Sequence, residues 1–185
     1  MGPSLRGRTS ALLVLSTVVL SAVLFPGALL HGEAFFERDL HLDWYPRLEA
    51  IARSLRAGSW PVWDPSVAFG QPLLADPGAQ VAYPGTWLVL LAPRPVAYTL
   101  FVVLHLALTA VGAFRLGRAV GAGRAGAVAG TALWLLSGPL QSAVNLWHHF
   151  AGACWMPWLV LAVDRAARRP GARTVVRLGA TGALQ

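Results

Sequence analysis

Asp39 and Asp43 stand four residues apart in the stretch FFERDLHLDWYP, among aromatic rings and just beyond a long apolar run. A separation of four places two side chains on one face of a helix, and two convergent carboxylates have a definite chemistry. Together they can hold a hard divalent cation such as Mg²⁺ or Mn²⁺ through oxygen ligands. Alternatively, one of them can take the proton of an incoming hydroxyl. The same residues also suit a plainer use, with Asp43 as the N-cap of a helix and Asp39 as a surface charge paired with Arg38 or Arg47. Both readings remain open on residue types alone. Glu37 is the neighbouring carboxylate that shares their position.

A second group lies far along the chain. Trp134, Ser137, Gln141 and Asn145, continued by His148, recur at spacings of three and four in an otherwise apolar segment. Polar side chains in such a segment face a wet cavity or bond to a neighbouring helix, because lipid offers them no partner. Gln141, Asn145 and His148 are therefore candidates for binding a polar substrate. His105 reads as a packed neutral histidine, and the single cysteine, Cys154, as a small buried side chain. Phosphate-loop, dinucleotide, nucleophile-elbow and HExxH patterns are all missing from the chain.

Composition sets the frame that must position these groups. Of 185 residues, 56% are hydrophobic and only 12% charged, which places the chain in the membrane class. The net charge of +7 comes from arginine alone. The arginines gather in short clusters between apolar runs and form no continuous basic face, so they read as topology signals and exclude a nucleic-acid partner.

The expected architecture is an all-α, multi-span helical bundle with a long first extracytoplasmic loop. Residues 1–10 form a cytoplasmic N-terminus, and the first span covers 11–30, retained and not cleaved as a signal peptide. Residues 31–83 form the loop, holding seven of the eight acidic residues. Within it, Leu48, Ile51, Ala52 and Leu55 predict an amphipathic helix over about 43–57, ended by Gly58 and lying on the outer membrane surface. Asp64-Pro65 and Asp76-Pro77 predict turns in a packed cap. An interfacial element follows at 84–92, then spans at 96–114, 125–144 and 146–163, the second and third joined by the cytoplasmic stretch 115–124. Residues 164–185 are again cytoplasmic, with the possible start of a further span. With four spans the arginines of the N-terminus, of 115–124 and of 164–185 share one side, as the positive-inside rule requires, and the loop lies outside.

The order FFERDLHLDWYP, GSWPVWDPSVAFGQPLLADPGAQVAYPG, AFRLGRAVG, ALWLLSGPLQSAVNLWHH and WMPWLVLAVDR resembles the N-terminal region of bacterial YfhO-like integral membrane proteins, of the GT-C class of membrane glycosyltransferases. The resemblance covers roughly residues 10–170, the first part only of such proteins, so the chain is expected to be an N-terminal fragment of a larger fold. It implies transfer of a sugar from a polyprenyl-phosphate donor to a glycan, lipid or cell-wall acceptor outside the bacterial cytoplasmic membrane. By position, Asp39 best matches the expected catalytic or metal-associated acid of the first loop, with Glu37 and Asp43 beside it. Arg38 or Arg47 would then offset charge on the leaving phosphate. The alternative is a non-enzymatic transport or assembly protein that uses the polar stripe around Gln141 and Asn145.

Overall fold

Proline marks several of the places where the apolar segments change winding. The computed structural model describes residues 3–37 and 39–184, with side chains of the first helix described from Thr9 onward. Helix α1, Pro3–Leu24, stops at Phe25, and a short helix α2, Pro26–Leu30, follows. Pro26 has no N–H to donate back, and its ring pushes the preceding residue out of the α region; Phe25 sits at φ −129°, ψ 58°. The segment 11–30 is therefore interrupted, not one uniform helix.

Helix α3, Tyr45–Arg56, is preceded by a single π-wound turn, Leu40–Trp44. Pro46 explains it: its ring would clash with the carbonyl of Leu42 in a regular α-turn, and the wider winding relieves that contact. Helix α4, Arg94–Ala119, has 26 residues and a mean hydropathy of 2.0 in its most apolar window, long and apolar enough to cross a membrane. Pro95 occupies its first turn, where the missing donor costs nothing.

The expected span over 125–144 is divided. Helix α5, Arg124–Leu135, ends before Ser137, and helix α6, Gly138–Ala143, starts afresh with Pro139 in its first turn. At 12 residues α5 rises about 18 Å, short of a hydrocarbon core. Helix α7, Trp147–Arg168, stays helical through Pro157, and α8, Ala172–Ala183, buries no residue. The fold is all-α apart from a two-residue antiparallel pair, Trp63–Asp64 with Gln71–Pro72.

The chain forms two units. One comprises Met1–Leu24, Val103–Val144 and His149–Gln185; the other, Phe25–Val102 and Asn145–His148. In the first, the Trp158 indole lies against Gly112 and donates to the Leu108 carbonyl at 2.9 Å, with the Arg115 guanidinium 5.0 Å from the ring centroid. A Cβ at Gly112 would meet Trp158 Nε1 at 2.5 Å, so only glycine admits the ring there. Thr17, Ser21 and Thr131 bond to carbonyls four residues back, which satisfies hydroxyls in apolar surroundings.

In the second unit, Ile51, Ala50, Leu73, Ala79 and Val81 form one buried cluster, with Leu55 packed on it. The apolar face of α3 is thus covered by the later part of the same loop. The cap residues supply the apolar partner of this face. The 3₁₀ helix Pro84–Leu90 packs on α3 as well, burying Thr86 and Val89, and Arg56 donates to the Val89 carbonyl at 3.2 Å.

Gly112→Leu is expected to lower stability by about 1–3 kcal/mol through overpacking against Trp158. Gly130→Leu, where an added Cβ meets nothing within 4 Å, serves as the control. Thermal unfolding of the two variants in the same detergent separates them; equal midpoints would refute the close packing at Gly112.

Candidate functional site

Asp43 sits in the π-wound turn and Asp39 at its N-cap position. Ahead of that turn, Tyr45 donates its hydroxyl to the Phe35 carbonyl at 2.9 Å. His41 Nδ1 donates to the Phe36 carbonyl at 2.6 Å and stacks on the Phe36 ring with centroids 4.1 Å apart. These contacts pull the extended stretch after α2 back onto the helix start. Beneath them lies an aromatic core in which Trp44 packs on Tyr98 at 4.8 Å and on Phe101 at 5.7 Å, with Tyr45 edge-on to Tyr98 at 6.1 Å. Burial pushes the Tyr45 phenol up to about 12, against the smaller opposing pull of Arg94.

Asp39 and Asp43 then part company. Asp43 Oδ1 accepts from Arg47 Nε at 2.8 Å, one turn along the helix. Arg47 also donates through Nη1 to Asp76 Oδ2, so one guanidinium joins two carboxylates 33 positions apart in sequence. Burial would lower the Arg47 pKa, but the hydrogen bonds and charges of Asp43 and Asp76 outweigh it and drive it up. Asp39 stands exposed at the N-cap position, makes no capping bond, and no side chain among the described residues pairs with it. Glu37 is exposed in the turn before it. Arg38 lies outside the described residues.

Asp76 carries a role that sequence reasoning missed. Its Oδ1 accepts from the Gly78 amide at 2.8 Å, which is the expected turn, but its other oxygen is the second anchor of Arg47. A lone acid in an apolar stretch calls for a cation, and that was the available signal. The turn is held from a third direction, since Trp147 Nε1 donates to the Gly78 carbonyl at 2.8 Å and its ring lies 5.5 Å from Trp44. Asp64 stays a turn residue, with Oδ1 accepting from the Ser66 amide at 3.0 Å and hydroxyl at 2.6 Å.

The polar stripe is not one continuous face, because the helix breaks at Ser137. Trp134 Nε1 donates to Thr109 Oγ1 at 3.0 Å, and Ser137 Oγ to the Trp134 carbonyl at 2.8 Å. Gln141 Nε2 donates to the Leu135 carbonyl at 2.5 Å, satisfying an acceptor that the broken helix leaves open. Gln141 is thus tied to the structure of the break, whereas Asn145 and His148 belong to the other unit, beside Trp147. His148 packs edge-on against the Trp147 ring, with centroids 4.9 Å apart. Asn145 Oδ1 and the indole N–H of Trp44 are buried without a hydrogen-bond partner.

Among the described residues, no three His, Cys, Asp or Glu side chains gather as a metal cage. Asp43 is turned to Arg47, and Asp39 stands exposed ahead of it at the N-cap position.

Arg47→Met is expected to loosen the turn at Gly78, accelerating hydrogen exchange of its amide while costing only roughly 1 kcal/mol of global stability, because the ion pairs are partly exposed. Unchanged exchange at Gly78 would show that Asp76 and Trp147 hold the turn without Arg47. Tyr45 has a folded pKa raised above its unfolded value, so its contribution to stability is complete below pH 10 and lost as the pH climbs through about 12. Alkaline absorbance titration should show a phenolate step near pH 12 that Tyr45→Phe removes; loss of a step near pH 10 instead would contradict the burial.

Comparison of the chain with protein-family models, curated proteins and solved structures yields no match.

Proposed function

We propose that this chain is a lipid-linked-sugar-dependent glycosyltransferase of the GT-C kind, or the N-terminal fragment of one, resembling YfhO-like proteins. In this reading it lies in several passes in a bacterial cytoplasmic membrane. The observation that carries the proposal is the division of labour between the two aspartates: Asp43 is held by Arg47, whereas Asp39 is exposed and uncommitted among the described residues. A carboxylate that serves as general base must reach its substrate unneutralised.

Asp39 accepts the acceptor hydroxyl proton as the oxygen attacks the anomeric carbon. The bond from that carbon to the phosphate oxygen breaks, and the phosphate leaves with the electron pair. Arg38, adjacent in sequence, is the cation assigned to the developing phosphate charge, because Arg47 is already shared by Asp43 and Asp76. By the positive-inside rule the arginine clusters at 115–124 and 164–185 belong on the cytoplasmic side, and this reading assigns Asp39 to the outer side, where lipid-linked donors present their sugars.

Membranes containing the protein, supplied with radiolabelled polyprenyl-phosphate hexose, test the proposal. Asp39→Asn is expected to reduce transfer to acceptor glycan or lipid by about 100-fold or more with membrane insertion intact. Asp43→Asn is expected to do less, through loosening of Arg47. Transfer by the Asp39 variant at the normal rate would refute the assignment.

A further inference from the structure

Two recesses in the arginine-rich unit are continuous with one another and differ in character. The first, about 290 Å³, lies between the end of α7 and helix α8, and its apolar wall includes Trp158, Leu161, Ala180 and Leu184. The second, about 410 Å³, is lined by Arg165, Arg168, Arg169, Arg177 and Thr174. Arg165, Thr174 and Arg177 border both, so the basic recess adjoins the apolar one.

The walls are set by bonds already in place. Trp158 is held by its bond to Leu108 and by Arg115 over its ring. The Thr174 hydroxyl bonds to the carbonyls of Arg169 and Gly171, at 3.0 and 2.8 Å, and shapes the turn between the two helices. Against four lining arginines stands one nearby acid, Asp164, bonded to Arg168 at 2.6 Å. The guanidinium groups of Arg165, Arg169 and Arg177 are exposed and in no ion pair among the described residues.

We infer that this groove binds an anionic phospholipid, its phosphate among the arginines and the upper part of an acyl chain along Trp158 and Leu161. Guanidinium forks match phosphate oxygens in geometry and charge, and arginines at the end of an apolar helix draw anionic headgroups. Topology signalling needs the charge alone. It does not need an apolar recess opening into the same arginines, and that conjunction points to an amphiphile. The site is independent of the reaction proposed for Asp39.

The experiment measures lipid retention by native mass spectrometry on the full chain in a neutral detergent, with phosphatidylglycerol or phosphatidylcholine added. The expected result is a preference for phosphatidylglycerol of roughly 30-fold, the contribution of two arginines, which R165Q/R177Q abolishes. R53Q/R173Q removes equal charge from outside the groove and should keep the preference. A180W, which narrows the apolar recess, should weaken phosphatidylglycerol retention while leaving the arginines in place. Equal retention of the two lipids, equal effects of the two arginine pairs, or displacement of phosphatidylglycerol by a similar concentration of inorganic phosphate would overturn the proposal. Circular dichroism checks that each variant is helical; because the arginine pair and A180W act on different walls, either one that folds decides the matter.

Discussion

Arg47 is the point on which the loop unit depends. Its guanidinium holds Asp43 on its own helix and Asp76 in a turn far along the chain. That second bond brings the stretch from Leu73 to Val81 back over α3, where Leu73, Ala79 and Val81 bury the helix face. Most of the free energy comes from the apolar contact, since the ion pairs are partly exposed and screened. What the ion pair adds is register: with Asp76 in place, the Gly78 carbonyl meets the Trp147 indole, and Trp147 meets Trp44.

Prolines impose the other constraint. Pro26, Pro46 and Pro139 each remove a donor and crowd the turn before them, and each marks a change of winding: an interruption, a π-turn, a new helix start. Pro157 sits inside α7 without ending it, so proline alone does not decide the outcome. At 134–141 the groups released by the break find partners within the chain, with Gln141 bonding to Leu135 and Ser137 to Trp134. A row of polar side chains that looks like a lining for substrate is there largely the repair of a broken helix.

The asymmetry of Asp39 and Asp43 follows from the same geometry. A spacing of four brings either acid within reach of an arginine four residues further on. Only Asp43 has one there: four residues after Asp43 comes Arg47, whereas four residues after Asp39 comes Asp43 itself. One acid is consumed by structure, and the other stands exposed at the end of the turn.

Much of this was written in the residues. The periodicity of Leu48, Ile51, Ala52 and Leu55 determines an amphipathic helix, because its repeat is that of the backbone itself, and the long apolar run before Arg115 determines α4. Asp-Pro pairs determine turns, since both the side-chain acceptor and the fixed φ are local. Only tertiary structure decided what covers the apolar face of α3, where Arg47 finds its second carboxylate, and that the stripe from Trp134 to His148 is divided. Each of these turns on which distant segment satisfies a buried group. Sequence periodicity states the need for a partner, but lipid, a cap residue and a neighbouring helix can all meet it, and only packing selects among them.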